Sequence, residues 1–251
     1  MFTMRGIERR IMKKKTSTVK EILQKAMAPL GSTLYVYGGC WNAEDTGTGP
    51  DALKLGLSPE WKKFYDANDG TYDFDKHRYE IHNGIDCTGL IGYACFQVFE
   101  DEYSNEGYVI QSGKMGNKYV EIFGGENVPN TEIKNYRPGD VMNKVGHVYF
   151  SIGKCEDGSL LLLHASPPAL SFCGTVTPDG NEDSDAVRLA KKYMTKYYPE
   201  TMERYPKMCV RNAEYLNEYN QYRWDRQIMQ DPDGLDNMTP EEILQILFNE
   251  K

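Results

Sequence analysis

The 251-residue chain has no uninterrupted run of about 18 apolar residues, the length that a membrane-spanning helix needs. The basic stretch Lys13–Lys15 leads into polar Lys20-Glu21, so we expect no secretory signal peptide. Six cysteines without regular spacing and without a Cys-x-x-Cys pair argue against a disulfide framework and against a structural zinc site. These absences predict a cytoplasmic protein, with export by a route not visible in the sequence as the alternative.

Net positive charge is also missing: the formal net charge is -8, which disfavours a nucleic-acid partner. No cofactor is predicted. Tyr37-Gly38-Gly39 has no following Lys-Ser/Thr and is not a phosphate loop. Asp231, Asp233 and Glu242 have the spacing of a calcium loop, but the loop lacks its central glycine, so we interpret them as a polar turn before a capped helix.

Several elements can be predicted from the patterns of apolar and turn residues. We expect a strand over Leu34–Tyr37 and a buried helix over Cys87–Phe99, which is apolar almost all round. Capping boxes begin helices at Thr18 and Thr239. Further helices are predicted over 185–198 and 208–224, the second with a packing stripe of Tyr215, Tyr219 and Tyr222.

Cys87 is the residue that first suggests chemistry. It begins the buried helix, where the partial positive charge of the helix start favours a thiolate, the attacking species in acyl transfer. Taken by itself, the position also fits a buried structural cysteine.

The four histidines bear on this choice. If 147–152 and 159–164 form a hairpin in which Ile152 faces Ser159, then His147 lies directly opposite His164. Residues opposite each other point to the same face with Cβ atoms about 5 Å apart, and the helix with Cys87 can cover that face. This is the arrangement of a nucleophile, a base and a group that orients the base. A metal site formed by the same three residues is the alternative, although zinc ligands usually come in closely spaced pairs.

Five motifs in their order along the chain resemble the NlpC-type cell-wall peptidases, over about residues 19–175. They are Tyr35-Val36-Tyr37-Gly38-Gly39, Asp86-Cys87-Thr88-Gly89-Leu90, Pro138-Gly139-Asp140, Gly146-His147-Val148 and His164-Ala165-Ser166. The family consists of papain-like α+β cysteine hydrolases that cut bacterial peptidoglycan stem peptides, commonly after γ-D-glutamate. The resemblance implies a thiol endopeptidase of cell-wall turnover whose partner is a peptidoglycan-derived peptide.

The resemblance also implies roles for single residues. Cys87 would be the nucleophile, His147 the base and His164 the third polar residue of the triad. Tyr35 would line the site, and Asp86 would hold the free amine of the substrate. Thr88, Ser166 and Trp41 complete the predicted substrate-binding set, with no metal.

The chain departs from the family in three places. Thr88 follows the nucleophile where the family usually has Ser, and residues 40–85 replace a short loop. Residues 181–251 match no part of the family, so we predict a catalytic domain over 1–180 and a helical extension over 181–251 packed on it. The aromatic residues of the insertion predict a wall or lid over the cleft.

Two other functions remain open at this point. A CHAP-like cysteine amidase or acyltransferase shares the order of Cys and His and the Gly-His-Val strand, but usually lacks a histidine in the second strand. A catalytically inert binding module is the other alternative, which the three filled polar positions disfavour.

Overall fold

The computed structural model describes residues 16–39, 56–99 and 108–250, which form a mixed α+β fold, as predicted. The α-helices are α1 Val19–Met27, α2 Pro59–Ala67, α3 Cys87–Phe99, α4 Ser112–Phe123, α5 Asp185–Tyr197, α6 Pro199–Arg204, α7 Glu214–Asn217 and α8 Pro240–Leu247. The strands are β1 Ser17–Thr18, β2 Glu126–Val128, β3 Val141–Lys144, β4 His147–Lys154, β5 Leu160–Ser166, β6 Ala169–Thr175, β7 Val210–Arg211, β8 Asn220–Arg223 and β9 Met229–Gln230. Short 3-10 turns occur at Asn130–Glu132 and Leu235–Asn237.

A seven-stranded sheet in the order β2-β8-β3-β4-β5-β6-β7 forms the centre of the fold. Its strands pair antiparallel except β6 and β7, which are parallel. β1 and β9 form a separate parallel pair. None of the helices in the described part of the chain is long and apolar enough to cross a bilayer.

The two faces of the sheet are covered by different parts of the chain. Val148, Phe150 and Leu163 belong to the main core, which also contains the apolar side chains of α1, α3 and α5. Tyr149 and Leu162 alternate with them and point the other way. They form a smaller cluster on the second face, completed by Leu216 and Tyr219 from the segment around α7. We call this second surface the histidine face, because His147 and His164 share the alternation of Tyr149 and Leu162.

The expected helix over 208–224 is wrong, whereas the helix expected over 185–198 is confirmed as α5. Residues 208–224 instead contain β7, the single turn α7 and β8. β8 lies between β2 and β3, inside the sheet. The part of the chain after residue 180 is therefore not a helical extension. It supplies two of the seven strands, and the predicted boundary at 180/181 divides a continuous sheet.

The expected strand over Leu34–Tyr37 is reduced to two isolated bridges, from Leu34 to Ala169 and from Tyr35 to Ile85. Two glycines explain how closely the chain returns to this point. A Cβ on Gly39 would lie 2.4 Å from the carbonyl oxygen of Gly84, so only glycine permits the approach. The amide of Asp86 donates to the carbonyl of Gly39 at 2.8 Å. This contact fixes the start of α3 beside Gly38 and Gly39.

The aromatic residues that predicted a wall or lid lie in different places: Tyr79 packs on Tyr37, with ring centroids 5.4 Å apart, while others enter the main core. Helix α2 follows Ser58 within the insertion, and its Trp61 and Tyr65 are each only 1% exposed and belong to the main core. Trp61 packs against Tyr93 of α3, with ring centroids 5.6 Å apart. Trp61 and Tyr65 point into the core together because residues four apart lie on one face of a helix. Residues 40–55, with Cys40 and Trp41, lie outside the described ranges.

Candidate active site

A cleft of about 570 Å³ lies where the first turns of α3 and α4 approach the start of β4. The wall from α3 is formed by Asp86, Cys87 and Thr88, together with Tyr35, Tyr37 and Gly38. The facing wall is formed by residues 111–114 and by Val145 and Gly146. Cys87 is the first residue of α3 and is 7% exposed, as predicted for a thiol at a helix start.

Asp86 caps the helix that carries the thiol. Its Oδ1 accepts hydrogen bonds from the amide of Gly89 and the hydroxyl of Thr88, both at 2.8 Å. Its Oδ2 accepts from the amide of Gly38 at 3.2 Å. The amide of Thr88 also interacts with this carboxylate, and Asp86 lines the cleft, where the amine of a substrate can reach it. Thr88 therefore acts on Asp86 as well as lining the cleft.

The thiol of Cys87 approaches β4 at its start, where it interacts with the backbone amide of Val148. The expectation that α3 covers the histidine face is wrong, because α3 packs against the opposite face. A strand amide points sideways along the sheet and not out of either face. The thiol thus lies at the start of β4, beside Val148, the residue that follows His147.

His147 and His164 meet as predicted, with His147 Nε2 2.9 Å from His164 Nδ1. The predicted register is wrong by two residues: Phe150 pairs with Leu163, so Tyr149 stands next in line opposite His164. At the turn Lys154 pairs with Leu160, a shift of three residues from the predicted register, and a bulge between Ser151 and Gly153 reduces the shift to two. A slip of two residues keeps every side chain on its predicted face, so the histidines become diagonal neighbours and still touch.

Burial sets the charge of the central pair. It raises the pKa of the Cys87 thiol to about 12, and the Asp86 carboxylate adds to the rise, while the amides of Val148, Thr88 and Cys87 itself oppose it. Burial also lowers the pKa of His147 to about 3, and the cations Arg211 and Lys144 lower it further. Burial and Asp86 therefore outweigh the helix start, which was expected to favour the thiolate, and both groups are neutral at pH 7.

Sequence reasoning missed the residues that cover the histidine face. Arg211 Nε donates to His164 Nε2 at 3.1 Å, and Cys173 Sγ lies 3.3 Å from the same nitrogen. Tyr215 contacts both imidazoles, with ring centroids 5.6 Å from His147 and 5.8 Å from His164. These residues were overlooked because the predicted helix over 208–224 gave the tyrosines a packing role and left Arg211 without one. Tyr222 and Trp224 alternate with polar residues, and this alternation was the signal that could have predicted a strand here.

The other predicted site residues have different outcomes. Tyr35 lines the cleft; burial raises the pKa of its hydroxyl, and the neighbouring Cys87 adds to the rise. Ser166 ends β5 opposite Ala169 and does not line the cleft. Trp41 cannot be placed, since it lies outside the described residues.

The metal alternative gains no support. In the described part of the chain, no three His, Cys, Asp or Glu side chains are arranged to hold a metal ion. The facing nitrogens of His147 and His164 lie at hydrogen-bond distance from each other. At that separation they bond to one another and cannot share an ion placed between them.

Comparison with known proteins gives no relative: no family model, no curated protein and no solved structure matches this chain. The interpretation of the site therefore rests on its own geometry and on the motifs in the sequence.

The Asp86 carboxylate gives the first testable prediction. Asp86→Asn should move the pH profile of Cys87 alkylation to lower pH, because the variant removes a negative charge that raises the pKa of the thiol. Asparagine caps helices as well as aspartate does, so α3 should remain capped. The measurement is the rate of iodoacetamide labelling of the Cys87 peptide between pH 6 and 10, by mass spectrometry.

Asp69→Asn is the matched control. Asp69 also accepts from a following threonine, Thr71, but lies outside the cleft. The control should leave the Cys87 profile unchanged. An unchanged or upward-shifted profile in Asp86→Asn would contradict the assigned effect of the carboxylate.

Proposed function

We propose that the protein is a papain-like cysteine hydrolase in which Cys87 attacks an acyl carbon, His147 transfers the proton and His164 orients His147. The observation that carries the proposal is the 2.9 Å contact between His147 Nε2 and His164 Nδ1, formed directly beside the Val148 amide that interacts with the Cys87 thiol. The contact occupies Nε2 of His147 and leaves Nδ1 for the thiol. The proposed triad thus joins Cys87, which lines the cleft, to His147 at the adjoining start of β4 and to His164 behind it.

The reaction follows the usual course of acyl transfer. The thiol proton passes to His147 as sulfur bonds to the carbonyl carbon, and the carbonyl oxygen becomes an oxyanion. The amides of Cys87 and Thr88 lie in the first turn of α3, where backbone N–H groups have no partner within the helix and can stabilise that charge. The leaving amine takes the proton from His147. Water then cleaves the thioester and regenerates the thiol.

The proposed substrates are peptidoglycan stem peptides, cut at a γ-D-glutamyl bond. The five motifs support this class, and so do the charges of the cleft. Asp86 offers an acceptor for a free amine on one wall, while Lys114 places a cation on the other wall for a peptide carboxylate. We further propose that the enzyme acts on released peptides in the cytoplasm.

Incubation with L-Ala-γ-D-Glu-diaminopimelate peptides and with intact sacculi tests the proposal. We expect release of diaminopimelate-containing fragments from the small peptides, detected by mass spectrometry, and slower release from sacculi. The Cys87→Ala protein serves as the blank. Absence of γ-D-glutamyl cleavage in both substrates would contradict the substrate class, and fractionation of host cells would test the compartment.

A further inference from the structure

The contact of Arg211 with His164 has a consequence for the whole proposed triad. Arg211 is in β7, which pairs with the end of β6, and its Nη1 also donates to the carbonyl of Val210 at 2.7 Å. A guanidinium has N–H donors and no acceptor, and it stays protonated in proteins. Because Arg211 Nε donates to His164 Nε2, that nitrogen must accept. The ring proton of neutral His164 is then on Nδ1.

The same argument extends to His147. His164 Nδ1 carries a proton and lies 2.9 Å from His147 Nε2, so His147 Nε2 accepts. Neutral His147 therefore has its proton on Nδ1, the nitrogen that the proposed mechanism needs as a base. A second proton on Nε2 would bring two N–H groups face to face at 2.9 Å. With Arg211 in place, His147 can neither act as a base through Nδ1 nor become an imidazolium without loss of a hydrogen bond.

We propose that Arg211 is a positioning residue that fixes the proton of His164 on Nδ1 and so keeps His147 in its unreactive neutral tautomer. The inference rests on the proposed roles of Cys87 and His147. When Arg211 withdraws, His164 can carry its proton on Nε2 and direct it to Cys173 Sγ, 3.3 Å away. His164 Nδ1 then accepts from His147 Nε2–H, and Nδ1 of His147 is free to take the thiol proton. The change moves one proton on each ring and leaves both rings neutral.

The surroundings of the histidines favour control by Arg211. Within the described ranges Arg211 forms no ion pair with a carboxylate, and its hydrogen bonds go to His164 and to the carbonyl of Val210. Burial holds the pKa of His164 well below its usual value and lowers that of His147, and the charge of Arg211 lowers both further. The other polar or titratable groups facing the two rings are Lys144 on β3, Tyr149 on β4, Ser171 and Cys173 on β6, and Tyr215 and Tyr219 around α7.

The first test is a measurement on the native protein, and two variants serve only to assign its signals. In the protein labelled with nitrogen-15 on histidine, ring nitrogen shifts distinguish the two tautomers, and His164→Gln and His147→Gln assign the signals. We expect protonated Nδ1 in both His164 and His147. A protonated Nε2 on His164 would overturn the proposal.

The second test uses Arg211→Met, which removes the donor and the charge at similar length. We expect Cys87 alkylation at pH 7 to rise by about tenfold, which corresponds to a shift of about one pKa unit, and His164 to gain protonated Nε2. Arg211→Lys restores a charged donor and should return the rate towards that of the native protein. An unchanged or slower rate in Arg211→Met, with the His164 tautomer unaltered, would contradict the proposal.

His147→Ala separates this inference from the proposed function. Adding it to Arg211→Met should remove the rise in rate, because the rise acts through His147. If His147→Ala alone does not change the pH profile of Cys87, the proposed pair of Cys87 and His147 is wrong, and the tautomer measurement still decides the role of Arg211.

Discussion

Cys87→Ala should abolish peptide hydrolysis, with a loss of about 10⁴-fold or more, and leave the fold intact. Without the thiol no covalent intermediate forms, and neither imidazole can attack in its place. The substitution removes a single sulfur atom from the rim of the cleft, where collapse or hydration can fill the space. The measurement is kcat/KM on the diaminopimelate peptide, with the thermal unfolding midpoint recorded on the same preparation.

Cys95→Ala is the matched control for this variant. Cys95 lies on the same helix, is wholly buried, and places its sulfur 3.7 Å from the hydroxyl of Tyr119 in the main core. Its loss should cost stability, by about 1 kcal/mol, and no activity. Turnover by Cys87→Ala within tenfold of the native rate would rule out the proposed nucleophile.

His147→Ala should lower kcat/KM by about a thousandfold, whereas His164→Ala should lower it by roughly ten- to a hundredfold. A missing base leaves the thiol without a proton acceptor. A missing orienting residue leaves the base present but free to adopt the wrong tautomer or rotamer. The two losses should not add in the double variant, since His164 acts through His147.

Two further variants define the outcome. His164→Asn keeps a side chain that can donate and accept, and should recover part of the activity that alanine loses. His77→Ala is the control, because His77 bonds to Glu80 and stacks on Tyr72 away from the cleft. A loss in His164→Ala equal to or larger than that in His147→Ala would reverse the assigned roles.

The site was predictable from the sequence to the extent that local patterns determine it. The apolar run after Cys87 admits only a buried helix, and the alternation around His147 and His164 assigns both to one face. The exact register was not predictable, because neither the pairing of Lys154 with Leu160 at the turn nor the bulge at Ser151–Gly153 leaves a signal in hydrophobic alternation. Both histidines still lie on the predicted face, because the net slip was two residues and an even slip does not exchange the faces of a strand.

The residues that cover the histidine face could not be predicted, because the segment 208–224 contains two competing periodicities. Tyr215, Tyr219 and Tyr222 have the spacing of a helix stripe, whereas Tyr222 and Trp224 have the spacing of a strand. In the structure the three tyrosines do not share one face. Tyr215 and Tyr219 cover the histidine face, whereas Tyr222, in the strand β8, packs on the main core. The choice is made by pairing with β2 and β3, which are about 80 to 100 residues earlier in the chain and lie beyond any local pattern.

The position of β8 between β2 and β3 also determines the order in which the molecule can be assembled. During synthesis, Glu126–Val128 and Val141–Lys144 leave the ribosome long before Asn220–Arg223. Since β2 pairs only with β8 within the described sheet, its hydrogen-bonding groups have no partner until that late strand arrives. Closing so long a loop is a slow step in folding. Arg211 and Tyr215 come from the same late segment, so a growing chain holds Cys87 and both histidines well before it holds the residues that restrain them.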